Sequence, residues 1–394
     1  MGNMSTDQER KFKPAIVLSS HTMGLSVIRA LGMMGVPIIV MVYNPREDMG
    51  YVSKYVSERI PVPHPEKFED QFIEALVKQA SRLGGSLLIP TSDETLVAVS
   101  RNKTLLERDY IVACTDWNIT EQFINKKRTY AIADAIGVPA PKTMIPHSVE
   151  DVEGYSRTVD YPCLVKPCQS HSYYDRFKRK MTRVENLGQM LAAYQEAVDA
   201  GLETMLQELI PGDDTQGVNY NSYFWNGDPL IEFTAEKVRN APPGLGSPRV
   251  AVSKHIPEVL EPGRKILRAM GFYGYACTEF KKDARDGVYK LMEVNGRHNL
   301  SGLLAVHCGI NFPWIHYKHL VYGELPSTCD YRTGIYWIDT IRDIGYSLKC
   351  YSKEGYSLSQ YIQPYRSPHV FAILDKQDPK PFIQRCINLT KRVL

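Results

Sequence analysis

Two glutamates and an asparagine in the third quarter of the chain have the types and spacing to hold a divalent cation. Glu279 and Glu293 flank Asp283-Ala284-Arg285-Asp286-Gly287, whose Asp-Gly step favours a tight hairpin. A three-residue loop, Arg285 to Gly287, sets Glu279 directly opposite Glu293. Alternation along the second strand puts Asn295 on the same face as Glu293. Two like charges facing each other across a strand pair are unfavourable, and a cation between them reverses the sign. Two carboxylates and an amide oxygen are hard ligands that suit Mg²⁺, which completes its shell with water and phosphate oxygens. Two solvated glutamates on an exposed hairpin would meet the same spacing, although the flanking Tyr275, Cys277, Leu291 and Met292 argue against full exposure.

The elements that must position these residues follow from the pattern of apolar runs. Strand Ala15 to Ser20, a turn with Gly24, helix Leu25 to Met34 and strand Ile38 to Val42 make a βαβ opening, which implies a parallel sheet. Helix Phe68 to Leu83, strand Ser86 to Pro90, helix Asp93 to Arg101 and strand Tyr110 to Ala113 continue it as a small doubly wound unit. Its first turn, Ser19-Ser20-His21-Thr22-Met23-Gly24, lacks the glycines that let a backbone approach a pyrophosphate, which disfavours a nicotinamide dinucleotide. Ligands of such sheets bind at strand ends, so His21 and Ser92 are candidate substrate contacts, along with Ser20, Thr22, Gly24, Thr91, Asp93 and Glu94. A plain helix cap is the competing role for Ser92 and Asp93.

A second unit starts with helix Glu121 to Ile136, the turn Gly137-Val138-Pro139-Ala140-Pro141 and strand Cys163 to Pro167. The polar loop Cys168 to Lys180, helix Leu187 to Ala200 and strand Met205 to Ile210 follow. A strand-rich third unit carries Tyr220 to Trp225, Leu230 to Val238, a loop Asn240 to Pro248, helix Glu261 to Met270 and the carboxylate hairpin. The expected division is 1–118 as an α/β domain, 119–207 as a small lobe, 208–328 as a large lobe with the metal site, and 329–394 as a small α+β extension.

The chain has 394 residues, 43% of them hydrophobic, enough for a sizeable core, and at roughly 100–200 residues per domain it should hold two to four domains. A net charge of +3 is too small to argue for nucleic acid. Eight scattered cysteines without a CxxC pair fit reduced thiols in a cytoplasmic protein. The longest apolar run, Val36 to Tyr43, is too short to span a bilayer. The start, Met1 to Thr6, matches the loose myristoylation pattern but has no basic anchor beside it. Oligomeric state is not legible, and a homodimer is a common outcome for soluble enzymes.

Taken in order, several segments resemble the ATP-grasp ligases. Thr278-Glu279-Phe280-Lys281 with Leu291-Met292-Glu293-Val294-Asn295-Gly296-Arg297 is similar to that family's metal-binding end. Asn125-Lys126 with Gly137 to Pro141 resembles its D-K…G-x-P-x-P segment. Leu164-Val165-Lys166-Pro167 resembles its second lysine strand, and Gln207-Glu208-Leu209-Ile210-Pro211-Gly212 its adenine-binding linker. The resemblance covers about residues 1–320 and implies a two-lobed fold behind the N-terminal domain.

The resemblance also implies roles. Lys126, Lys166 and Lys180 would meet nucleotide phosphates, and Gln207, Glu208, Leu209 and Ile210 the adenine. Asp214, with Asp213 as alternative, would hold the ribose. Glu279, Glu293 and Asn295 would bind one or two Mg²⁺ or Mn²⁺ ions. Arg297 would stabilise an acyl phosphate and the tetrahedral intermediate that follows it. Alternation puts Lys237 and Arg239 on one face, near the γ-phosphate or the substrate carboxylate, unless they are a solvated basic pair. Ser301 lies just past the metal ligands and is a further candidate for the substrate. Two departures stand out: Asn125 replaces the family's aspartate, and the glycine-rich phosphate loop reads Gln169 to Lys180 without glycine.

What the resemblance implies is an ATP-dependent carboxylate–amine ligase that forms an amide through an acyl phosphate. Glu236-Lys237-Val238-Arg239 with Pro242-Pro243-Gly244-Leu245-Gly246 most resembles the D-aspartate ligase type, so amino acids or small peptides are the expected substrates. An ATP-grasp carboxylase and a non-catalytic ATP-binding sensor are the alternatives.

Overall fold

The computed structural model describes residues 12–168, 173, 176–177, 179, 181–244 and 246–393. Lys180, most of the loop before it, and the Met1 to Thr6 pattern lie outside the described residues. Among the described residues the strands form one parallel sheet and two that are mainly antiparallel.

The parallel sheet holds β1 (Ala15–Leu18), β2 (Ile38–Val42), β3 (Val56–Pro61), β4 (Leu87–Pro90) and β5 (Ile111–Val112), in the order β3-β2-β1-β4-β5. The central strands are apolar throughout because both faces are covered. Ile16, Leu18, Met41 and Leu88 pack with Phe72, Leu76, Leu96 and Val99 from helices Glu69–Leu83 and Asp93–Arg101. Val17, Val40, Leu87 and Ile89 pack with Val27, Ile28 and Leu31 of helix Thr22–Gly32, and with Tyr317 of helix Phe312–Tyr322 from far along the chain. Strand β3 was not expected from sequence. It is the sheet edge, with alternating half-buried and exposed residues, and so lacks the apolar run that marks its neighbours.

The second sheet joins β6 (Thr143–Met144), β7 (Cys163–Pro167), β8 (Thr182–Val184) and β9 (Thr204–Glu208) in the antiparallel order β6-β9-β7-β8. Helices Val149–Ser156 and Leu187–Asp199 cover it through Val152, Tyr155, Met190 and Ala193. The single helix expected over 121–136 is two, Trp117–Ile124 and Lys126–Ala135. The break is at Asn125, whose backbone is extended and whose side chain accepts a hydrogen bond from Lys127 N at 3.1 Å. Asparagine caps a helix as well as aspartate does, which accounts for the departure at this position.

The large sheet runs β14-β13-β10-β11-β12-β15-β16. Its strands are β10 (Gly217–Trp225), β11 (Asp228–Ala241), β12 (Ser247–Ser253), β13 (Gly274–Lys282), β14 (Tyr289–Asn295), β15 (Tyr336–Ile338) and β16 (His369–Phe371). The Pro/Gly-rich stretch expected as a loop over 240–248 is shorter, because β12 already begins at Ser247. Two strands of the last 66 residues complete the edge of this sheet, β15 against β12 and β16 against β15. One face of the sheet buries Val218, Tyr220, Ala276, Phe280 and Leu291 under helix Leu260–Ala269. The other buries Tyr223, Phe233, Tyr275, Cys277 and Trp337 against helix Gly302–Cys308. At one end of that second face the apolar side chains give way to charged and amide side chains.

Candidate functional site

The carboxylate pair has the register expected of it, reached by a different route. Glu279 is directly opposite Glu293, and Cys277 is opposite Asn295. Asp283 N donates to Val288 O and Gly287 N to Asp283 O, so the turn is Ala284 to Gly287, one residue longer than expected. A longer turn alone would put Glu279 out of step. The pairing shifts between Glu279 and Phe280, which leaves Met292 as an extra residue on β14 and restores the facing glutamates. Tyr130 Oη donates to Met292 O at 2.8 Å, and Leu291 N to Pro139 O at 2.7 Å, so the bulge is held from outside the hairpin.

Each glutamate is neutralised by a lysine. Lys237 Nζ lies 2.5 Å from Glu279 Oε2, and Lys126 Nζ lies 3.7 Å from Glu293 Oε1. Burial would raise the Glu279 carboxyl, but Lys237, Arg297 and Lys126 outweigh it and hold the group below the usual carboxylate range. Glu293 in turn raises Lys126. Among the described residues no cluster of three His, Cys, Asp or Glu side chains forms a closed metal cage. The donor set here is two carboxylates beside the buried amide of Asn295. That set fits a hard divalent cation whose shell is completed by phosphate and water.

Lys166, on β7, donates to Gln207 Oε1 at 2.6 Å, and Gln207 Nε2 donates to Thr143 Oγ1 at 2.9 Å. Burial and the nearby Lys126 charge pull the Lys166 ammonium down to about 7. Glu208 closes β9; Leu209 and Ile210 follow it into the large lobe. Glu208 accepts from Lys142 N at 2.8 Å and from Arg285 Nη2 at 3.0 Å, so the hairpin tip is tied to this linker. Asp214 is buried, and its carboxylate is occupied by Asn240 N, Asn240 Nδ2 and Gly244 N at 2.7–2.9 Å. Asp213 is exposed and caps the following turn through Thr215.

Arg297 reaches across to the parallel-sheet domain. Its Nε and Nη2 contact the two oxygens of Asp93 at 2.7 and 3.1 Å, and Nη1 approaches Met23 Sδ at 3.3 Å. The preceding Gly296 is required by packing, since a Cβ there would fall 2.4 Å from the Phe123 ring. His21 caps helix Thr22–Gly32, with Nδ1 accepting from Met23 N at 3.3 Å, so its proton sits on Nε2. Burial, then the Arg297 charge, lowers its pKa to about 4 and keeps the ring neutral. Ser92 caps helix Asp93–Arg101 and also contacts Tyr43 Oη at 3.1 Å. Ser301 is buried and receives Asn299 Nδ2 at 3.3 Å.

Arg239 is not in this group. The strand is irregular between Lys237 and Asn240, so the expected shared face is lost. Arg239 turns into a buried cluster and makes a two-pronged contact with Asp343 at 2.9 and 2.8 Å. Sequence reasoning missed Tyr130, Arg285, Thr143 and Asn219. The last fell outside because the strand was expected to begin at Tyr220, whereas β10 begins at Gly217.

No model of a known protein family matches the chain. It is 26% identical over 262 residues to a D-aspartate ligase of Enterococcus faecium (strain Aus0004), covering 61% of each protein. It is 24% identical over 208 residues to a D-alanine--D-alanine ligase of Ectopseudomonas mendocina (strain ymp), covering 48% of this chain and 62% of that one. The chain thus spans about three fifths of the length of these curated relatives. An L-amino acid ligase from Bacillus licheniformis superposes with a TM-score of 0.61 at 16% identity, over 79% of this chain and 75% of the other. A biotin carboxylase from Campylobacter jejuni, solved with an ATP analogue, gives 0.65 at 17% identity, over 83% and 74%. The chain is thus similar in sequence to two amino-acid ligases and shares its fold with an L-amino acid ligase and a biotin carboxylase.

Proposed function

We propose that the protein is an ATP-dependent ligase that joins a carboxylate to an amine. The observation that carries this reading is the facing pair Glu279 and Glu293, each held by a lysine, on the sheet face that ends at Arg297. Its likeness to D-aspartate ligase favours amino acids or small peptides as substrates. We read residues 1–118 as the domain that helps select them, 119–207 and 208–328 as the two lobes around the nucleotide, and 329–394 as an extension.

In this reading a carboxylate oxygen of the substrate attacks the γ-phosphorus of ATP, and ADP leaves. The amine nitrogen then attacks the acyl carbon, phosphate departs, and the nitrogen loses a proton. A bound Mg²⁺ supplies neutralising charge at the β- and γ-phosphates. Lys126, Lys166 and Lys237 place ammonium groups against the same phosphates as mobile point charges. Gln207 holds Lys166 toward the cleft, and the linker Glu208 to Ile210 borders the adenine. Arg297, steadied by Asp93, and the neutral His21 Nε2–H present donors to the oxyanion of the tetrahedral intermediate. Asp213 is the freer carboxylate for the ribose, since Asp214 is occupied by Asn240 and Gly244. Among the described residues no helix is long and apolar enough to cross a membrane.

The test is ADP formation in a pairwise screen of amino acids, with mass spectrometry of the products. A new amide appearing in step with ADP supports the ligase. Nucleotide binding without ADP release for any pair would sink it and favour a sensor. Bicarbonate-stimulated ADP release without an amide product would favour a carboxylase.

A further inference from the structure

Asn219 sits in β10 directly across from Glu279 on β13 and from Ala235 on β11. Residues that face each other across antiparallel strands project from one face, and so do residues two apart along a strand. Asn219 therefore shares the face of Glu279 and Glu293, with Lys237 two residues beyond Ala235. It is only 3% exposed, and its Oδ1 makes no hydrogen bond.

The next polar residue along this face behaves differently. Asn221 Oδ1 accepts from Tyr275 Oη at 2.8 Å and from Asn299 Nδ2 at 2.9 Å. An amide oxygen left without a donor is unfavourable in a buried setting. No hydrogen bond of the fold accounts for the amide oxygen at this position. Amide oxygens are hard donors of the kind that complete a carboxylate-poor cation site.

The geometry points to Asn219 as a further ligand-bearing residue of the divalent-cation site, offering its amide oxygen to the cation held by Glu279, Glu293 and Asn295, directly or through one bound water. The inference rests on the assignment of that site under the proposed function. It makes the set two carboxylates and two amides, with the amides on either side of Glu279.

The test uses Mn²⁺ as a spin probe, titrated into the full-length protein with ADP and followed by the free-ion paramagnetic resonance signal. Asn219→Leu keeps the size and removes the donor; it should weaken Mn²⁺ binding about 10-fold or more. Asn219→Asp should bind Mn²⁺ at least as tightly as the parent protein. Melting in EDTA checks the fold. If Asn219→Leu fails to fold, the aspartate variant decides, and weakened Mn²⁺ binding there overturns the inference. Parent-like Mn²⁺ binding by Asn219→Leu overturns it too, provided Glu293→Gln binds poorly. Parent-like binding by Glu293→Gln as well would mean that the cation site itself has been misassigned.

Discussion

Lys237 donates to Glu279 at 2.5 Å from the neighbouring region of the same sheet face, while Glu293 stands directly across from Glu279. The lysine supplies positive charge beside Glu279, and Glu293 adds to the field that holds it charged. If a cation took over that charge, as the proposed function requires, Lys237 would be freed for the phosphates. An exchangeable pair, as opposed to a fixed strut, gives the first prediction. Lys237→Met should lower stability in EDTA by about 1–3 kcal/mol, because the facing carboxylates lose a counter-charge. Mg²⁺ alone should then raise the melting temperature more in this variant than in the parent protein. Turnover should drop by about 10²–10³ with Mg²⁺ saturating. An identical Mg²⁺ response in the two proteins would show that Lys237 does not hold the place of the cation.

The contact between Arg297 and Asp93 joins the site to the parallel-sheet domain through two hydrogen bonds. Asp93→Asn keeps a single acceptor, whereas Arg297→Lys cannot make the fork at all. We expect Asp93→Asn to reduce kcat about tenfold with little change in the KM for ATP, and Arg297→Lys to reduce kcat about 10²-fold or more. Steady-state kinetics on both variants check this. A raised KM for ATP with unchanged kcat would move Arg297 out of the chemical step.

The register of the carboxylate hairpin was legible because it is written in a short local pattern. Glu279, Glu293 and Asn295 come from strand alternation around an Asp-Gly turn, whereas Lys126 was singled out only by the family resemblance, since the helix was expected to run unbroken through it. What the sequence could not show was anything that depends on a break in regularity. The extra residue at Met292 compensates for a turn one residue longer than expected, so the correct pairing was reached from an incorrect loop. The irregularity near Lys237 sends Arg239 away from the site, although simple alternation keeps the two together. Edge strand β3 and the late-joining β15 and β16 also escaped, because short or edge strands carry little apolar periodicity.

Tyr130 tests the importance of that bulge. Its hydroxyl donates to Met292 O, beside Glu293, and Tyr130→Phe removes that bond together with the hydroxyl's contact with Gln207. A loss of about 1 kcal/mol in stability is expected. The more telling change is a several-fold rise in the Mg²⁺ concentration needed for half-maximal ADP release, since the bulge sets where Glu293 points. Unchanged Mg²⁺ dependence would mean that the hairpin holds its register without help.

Lys166 gives a pH signature. Its folded pKa of about 7 lies below the ordinary lysine value, with burial as the main cause, Lys126 adding to it and Glu293 opposing. At pH 8 the ammonium has therefore mostly lost its proton. A bound phosphate raises the pKa again, so ADP binding at pH 8 should take up a proton, approaching one per site. Below about pH 6 the lysine is already charged and uptake should vanish. Calorimetry in buffers of different ionisation enthalpy measures it, with Lys166→Met as control. Equal uptake in that variant would assign the proton to another group.

Arg239 and Asp343 supply the last prediction, because they separate a structural role from a substrate role. The Asp343 carboxylate receives Arg239 Nε and Nη2, Arg249 Nε and the Tyr365 hydroxyl, all at 2.7–2.9 Å, and both members of the Arg239–Asp343 pair are almost fully buried. Removing one partner of a buried pair leaves an uncompensated charge and costs about 3–5 kcal/mol. Asp343→Ala should therefore lower the denaturant midpoint strongly. The same variant, assayed at low temperature where it stays folded, should keep a near-normal KM for both substrates, because the cluster lies between β11, β12 and helix Thr340–Glu354 rather than in the cleft. Arg239→Lys should behave in the same direction, since a single ammonium cannot replace the fork. A large rise in substrate KM with unchanged stability in either variant would return Arg239 to the substrate site that strand alternation suggests.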